Sequence, residues 1–195
     1  MRLTPLILAS LANLSACANI PPHNPHNICD IFREKDDWYQ ASLNASRRWG
    51  VPIAVQLSII NQESGFVADA EPPRPTILGF IPWFRSSSAY GYAQAQNGTW
   101  SDYQRQTGNN WADREDFADS CDFVAWYCAI SNKKLGIASH DAQNLYLAYH
   151  EGHSGYRQQK FKPWLMNVAK KVHQRAWQYD AQLSACRQQL ESEDR

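Results

Sequence analysis

The chain has 195 residues, 44% of them hydrophobic, with 19 Lys plus Arg set against 19 Asp plus Glu. That length is one domain's worth, enough to bury about 70% of the surface the unfolded chain exposes without needing a staple to fold. Zero net charge argues against a nucleic-acid binder, whose affinity rests on clustered cations, and an aromatic content of 12% excludes a disordered chain.

The first residues read as a targeting device. Arg2 precedes an apolar run from Leu6 to Leu14, too short for a membrane span, and Leu14-Ser15-Ala16-Cys17 follows. The four residues resemble the bacterial lipobox, in which the cysteine is acylated and becomes the first mature residue. The expectation is a signal peptide over 1–16, lipidation at Cys17 and, with Ala18 rather than Asp after it, a place on the periplasmic face of the outer membrane. Removing 1–16 takes Arg2 away and leaves 18 basic against 19 acidic residues.

Residues 17–35, rich in Pro, Asn and His at their start, read as a tether, and 36–195 as the folded domain. His23 and His26 between prolines read as solvated linker rather than metal ligands. From Asp36 the pattern is helical: one helix to Trp49, stopped at Gly50, and a second opened by Pro52 and apolar on almost every side through Ile60. Residues 71–90 carry four prolines and read as a long loop with room for a short hairpin. Further helices are expected from Thr99, from Asp116 to Leu135 before Gly136, and from Ser139 to His150 before Gly152. A last one starts near Pro163 and lines up Trp164, Val168, Val172, Ala176, Tyr179, Leu183, Cys186 and Leu190. The fold class is mainly α.

After loss of the leader and lipidation, four cysteines remain: Cys29, Cys121, Cys128 and Cys186. An oxidising compartment suggests two disulfides. Cys121 and Cys128 lie two helical turns apart, about 10.5 Å along the axis and out of reach of each other. The expectation is that one of them pairs with Cys29 and the other with Cys186.

Glu63 is the foremost candidate for chemistry. It ends the buried apolar helix in Ile59-Ile60-Asn61-Gln62-Glu63-Ser64-Gly65-Phe66, where desolvation would raise its pKa and let it act as a general acid. The plain alternative is a carboxylate that faces water at a helix end. Gly91-Tyr92-Ala93-Gln94, then Ala95-Gln96-Asn97-Gly98-Thr99, and later Ala148-Tyr149-His150-Glu151-Gly152 complete a set. With Glu63-Ser64 they resemble, in order, the three motifs of the soluble-type lytic transglycosylase family, which shares its fold with goose-type lysozyme.

The resemblance covers residues 37–180 and implies a lysozyme-like helical domain acting on peptidoglycan glycan strands. Glu63 would take the place of the single catalytic acid that cleaves between N-acetylmuramic acid and N-acetylglucosamine without water, giving a 1,6-anhydro end. Ser64 would support the acid or a sugar, Gln94 would bond substrate, and Tyr149 would set its hydroxyl against Glu63. Tyr92 and Ala93 stand where the family has Leu and Met, with Tyr92 expected in the floor of the groove, and His150 stands where it has Asn. Glu63 and Gly91 are 28 residues apart, longer than the family leads one to expect, and the surplus is the proline-rich loop. There Trp83, Phe84 and Tyr90 either stack on sugar faces or pack on their own domain.

Two other classes of reading compete. His150-Glu151-Gly152-His153 suggests a zinc peptidase, but the histidines are three apart rather than four, Gly152 ends the helix, and no further ligand is evident. A glycan-binding lipoprotein that has lost turnover, or a muramidase that uses water, stays closer to the motifs. No metal or organic cofactor is implied.

Overall fold

The computed structural model describes residues 20–73, 76–77, 81–82 and 87–193. The leader, the lipobox with Cys17, and Trp83 and Phe84 lie outside them. The described residues form seven helices: α1 (Ile28–Glu34), α2 (Asp36–Trp49), α3 (Ile53–Ser64), α4 (Asn97–Thr107), α5 (Phe117–Leu135), α6 (Ala142–Arg157) and α7 (Pro163–Glu193). A small antiparallel hairpin, β1 (Thr76–Ile77) with β2 (Ile81–Pro82), interrupts the proline-rich loop. The mainly α, lysozyme-like reading holds, with the hairpin inside the loop.

Local chemistry explains the helix ends. Asp36 and Asp37 face the positive end of α2, Arg47 and Arg48 its negative end, and Gly50 stops it at φ 70°. Asp116 caps α5 by accepting from the Asp119 amide at 2.9 Å, and Asp141 caps α6 by accepting from the Asn144 amide at 3.1 Å. The helix expected from Thr99 begins two residues earlier, at Asn97, and Gln96 before it makes no side-chain cap.

The core gathers around α3 and α5. Ile53 to Ile60 of α3 are all buried, and the helix packs against α7, α5, α2 and α6. Asp122 of α5 ties two neighbours to that centre, accepting from Trp49 Nε1 at 2.7 Å and from the Tyr103 hydroxyl at 2.9 Å. Trp38 stacks on Phe117 at 3.7 Å between ring centres. On α7 the buried stripe is Leu165, Ala169, Val172, Ala176, Tyr179, Leu183, Cys186 and Leu190, a strict 4-3 repeat. The expected stripe is therefore off by one residue at its start: Trp164 is 51% exposed.

Two expectations are corrected here. Residues 28–34 are not tether. Asn27 caps α1 by accepting from the amides of Cys29 and Asp30, and Ile28, Ile31 and Phe32 sit in the core. The preceding segment lies along α7, where the Ile28 amide donates to Gln182 Oε1 at 3.0 Å and the Tyr179 hydroxyl donates to the Pro25 carbonyl. The short apolar run Ile28–Phe32 carries this helix, and its prolines and histidines upstream masked it.

The disulfide pairing also differs. Cys29 bonds Cys186, joining α1 to the end of α7, while Cys121 and Cys128 are free and fully buried. Cys121 and Cys128, two turns apart on α5, do not bond each other. The error lies in requiring every cysteine to be bridged: the Cys121 thiol donates to Gln56 Oε1 at 3.0 Å, and burial pushes both thiols up to about 12.

Candidate active site

Glu63 occupies the last turn of α3, where the chain leaves through Gly65 at φ 60°. Because every preceding turn is packed, the carboxyl emerges from the core rather than from water. Its Oε1 is buried with no hydrogen-bond partner. Desolvation pushes the carboxyl up to about 7, against a smaller lowering by the Tyr146 hydroxyl that bonds it. The negative end of α3 acts in the same upward direction as desolvation. A carboxyl that keeps its proton in a large share of molecules near neutral pH, with one unengaged oxygen, is suited to donate that proton.

The next wall is the turn after the hairpin loop. Gly91 sits at φ 79°, its amide donating to the Ala70 carbonyl at 2.9 Å, and a Cβ there would lie 2.2 Å from the Arg114 carbonyl. Glycine is thus required twice, by conformation and by space. The turn throws Gln94 into the left-handed region at φ 48°, and its Nε2 donates to the carbonyls of Ala70 at 2.7 Å and Gly91 at 2.9 Å. With both amide hydrogens fixed on the backbone, Oε1 is the end presented as an acceptor.

α6 supplies the third wall. Tyr146 and Tyr149, three residues apart, share one of its faces. Tyr149 donates to the Ala93 carbonyl at 2.6 Å, which clamps the Gly91–Ala95 turn to α6. Gly152 breaks the helix at φ 71°, ψ 163°. His150 stands at the rim, its Nδ1 3.2 Å from Glu151 Oε1 and its ring edge-on to Trp164 at 5.3 Å. Glu63, Gln94, Thr99, Tyr127, Tyr149 and His150 are among the residues that line one groove of about 510 Å³.

A family model, described as a Transglycosylase SLT domain, matches residues 5–186. The chain belongs to this family. Membership assigns it a transglycosylase-type action on peptidoglycan. A search among curated proteins finds none that matches the chain.

The transglycosylase domain brings together most of the residues singled out in its sequence, and displaces some. Glu63, Gln94, Tyr149 and His150 meet in the groove. Tyr92 does not: it is 1% exposed and packs edge-on against Trp38 and Phe117 at 5.6 Å, so the larger ring fills core rather than groove floor. The Ser64 hydroxyl bonds the Ile60 carbonyl at 3.2 Å and accepts from the Phe66 amide at 3.1 Å. It closes the end of α3 and holds the acid through the backbone. Tyr149 is bound to Ala93, and Tyr146 is the phenol at Glu63. The spacing of Tyr146 and Tyr149 on one helix face was the signal for that residue. His153 stacks on Tyr127 at 4.6 Å with its Nε2 3.0 Å from Ser131 Oγ, a packed ring rather than a partner for His150.

The aromatics also fall differently from what a sugar-binding groove suggests. Trp38, Trp100 and Trp126 are core residues, and the groove carries Phe123, Tyr127 and Tyr149 instead of tryptophan among the described residues. Tyr90 turns away from the groove, donating to Glu115 beneath the Arg114 guanidinium.

Proposed function

We propose that the protein is a peptidoglycan lytic transglycosylase that breaks the β-1,4 bond between N-acetylmuramic acid and N-acetylglucosamine without water. One observation carries this reading: a buried carboxyl whose pKa is pushed up to about 7, with an unpartnered oxygen, lining an open groove. Glu63 gives its proton to the glycosidic oxygen as the bond to the muramoyl C1 breaks. The carboxylate so formed is held by the Tyr146 hydroxyl and takes the proton of the muramoyl C6 hydroxyl. That oxygen closes on C1, giving the 1,6-anhydro ring, and Glu63 returns to its acid form. The substrate's own N-acetyl group shields the developing cation, so no second carboxylate is needed, unlike the common two-carboxylate scheme.

Gln94 Oε1 and the His150 ring, which line the same groove as the acid, supply hydrogen bonds to substrate. Tyr149 acts as a positioning residue, holding the turn that carries Gln94. The hydrolytic reading has one observation in its favour: Glu151, which lines the same groove beside His150, would be the base toward water. Digestion of purified sacculi separates the readings by muropeptide mass. Anhydro ends support the transglycosylase and reducing ends the muramidase, while a protein that pellets with sacculi and releases nothing would be a binder.

We also propose that Cys17 carries a lipid anchor that places the domain at the periplasmic face of the outer membrane. What supports it is the lipobox-like Leu14-Ser15-Ala16-Cys17 ahead of a fold that begins before α1. Cys17→Ala should move the protein from the membrane to the soluble fraction; unchanged sedimentation with membranes would contradict it.

A further inference from the structure

A second cleft, of about 390 Å³, is lined by residues that neighbour those of the catalytic groove in the chain. Its lining includes Tyr90, Trp100, Asn110, Trp111, Asp113 and Arg114. The two openings are lined by neighbouring residues of the chain. Ala89 lines the groove and Tyr90 the cleft; Thr99 lines the groove and Trp100 the cleft. Each of these pairs of consecutive residues faces both openings, which places the cleft next to the groove.

Trp111 sets this cleft apart. It stands in the turn between α4 and α5 and is 94% exposed, against 72% for Trp177 and 51% for Trp164 on α7, while Trp38, Trp100 and Trp126 are buried. Such a placement forgoes the burial that makes tryptophan useful to a fold, and leaves its flat faces open at the cleft. The polar groups narrow what fits. Arg114 is engaged through Nη1, which donates to the Ala95 carbonyl at 2.9 Å and to Asn97 Oδ1 at 3.0 Å, while the guanidinium lies over the Tyr90 ring at 5.2 Å. The lining has no other Lys, Arg or His to take an anion. Asp113 accepts from the Glu115 amide through Oδ1 at 2.9 Å, and its other oxygen and the Asn110 amide are of the type that meets hydroxyls. An open aromatic plate beside an amide and a carboxylate suits an uncharged sugar ring, with its C–H face on the indole and its hydroxyls on the polar rim.

We propose that this cleft is an outer glycan subsite, in which Trp111 holds a sugar of the same strand whose scissile bond lies at Glu63. This rests on the groove being a glycan site. It assigns the protein a preference for strands long enough to reach both the groove and the cleft.

The test is the KM of wild type, Trp111→Ala and Trp111→Phe on soluble uncrosslinked glycan strands and on a short saccharide confined to the groove. Trp111→Ala should raise KM for long strands about fivefold, the equivalent of one aromatic contact of about 1 kcal/mol, without a matching rise for the short saccharide. Trp111→Phe, which keeps a flat face, should recover most of the loss. Co-sedimentation of the same proteins with insoluble sacculi reads the cleft without turnover, and Trp111→Ala should bind more weakly there as well. Equal KM values and equal sedimentation for wild type and Trp111→Ala would overturn the proposal, as would an equal KM rise on both substrates. A wild type that cleaves neither substrate would refute the groove reading, and sedimentation would still decide the cleft.

Discussion

The Tyr149 hydroxyl donates to the Ala93 backbone carbonyl at 2.6 Å, so the phenol of the third motif holds the second motif in place instead of reaching the acid of the first. Tyr146, one turn earlier on α6, bonds Glu63. The two tyrosines therefore have separate roles, Tyr149 setting the position of Gln94 and Tyr146 the proton affinity of Glu63.

This division predicts opposite signatures for two conservative variants. Tyr146→Phe removes the bond that lowers the Glu63 pKa, so the alkaline limb of the activity profile, near pH 7 in the wild type, should move upward. Tyr149→Phe leaves the Ala93 carbonyl unpaired, which should cost about 1–3 kcal/mol in stability and raise KM through Gln94 while the pH limb stays in place. pH-rate profiles and melting curves of both variants check this.

Glu63 itself should weaken the fold at neutral pH. Its folded pKa of about 7 lies above the ordinary 4.5, so the folded state holds a proton the unfolded chain releases. No penalty exists below about pH 4.5; stability falls as pH rises toward 7 and is level above it. Glu63→Gln cannot ionise and should gain about 1–3 kcal/mol over wild type at about pH 8, with no gain at about pH 4. Chemical denaturation at the two pH values measures the difference.

Gly91→Ala should destabilise the protein by at least about 2 kcal/mol, because the new methyl would meet the Arg114 carbonyl at 2.2 Å and φ is 79°. The turn it would distort carries Gln94, so activity should fall further than stability does. A Gly50→Ala control at φ 70°, where nothing lies within 4 Å, separates conformational strain from the clash.

Reduction of Cys29–Cys186 opens a link between residues 157 apart in sequence and should lower stability by about 2–5 kcal/mol. Cys121 and Cys128 should react with thiol reagents only after unfolding, since both are buried and their thiols are pushed up to about 12. Thiol titration before and after denaturation, with melting under reducing conditions, tests both statements.

The parts of this molecule that were legible in its sequence are those fixed by local rules. α2 ends at Gly50 and α5 at Gly136 because glycine tolerates the left-handed stop, and Glu63 is conspicuous because a carboxylate follows eight buried positions of α3. What was not legible depends on which surfaces meet. Tyr92 became core because Trp38 and Phe117 enclose it, and no spacing announces that. Cys29 found Cys186 because α1, hidden behind a proline- and histidine-rich stretch, lies against the end of α7. The start of the α7 stripe shifted by one residue because Trp164 faces His150 rather than the core.

The most direct test of the central claim is digestion of sacculi in water enriched in oxygen-18, followed by mass measurement of the released muropeptides for wild type and Glu63→Gln. The account predicts that wild type releases unlabelled muropeptides lighter by one water than reducing ones, and that Glu63→Gln releases none while still binding sacculi. Reducing ends that carry one oxygen-18, or release by Glu63→Gln at the wild-type rate, would contradict it.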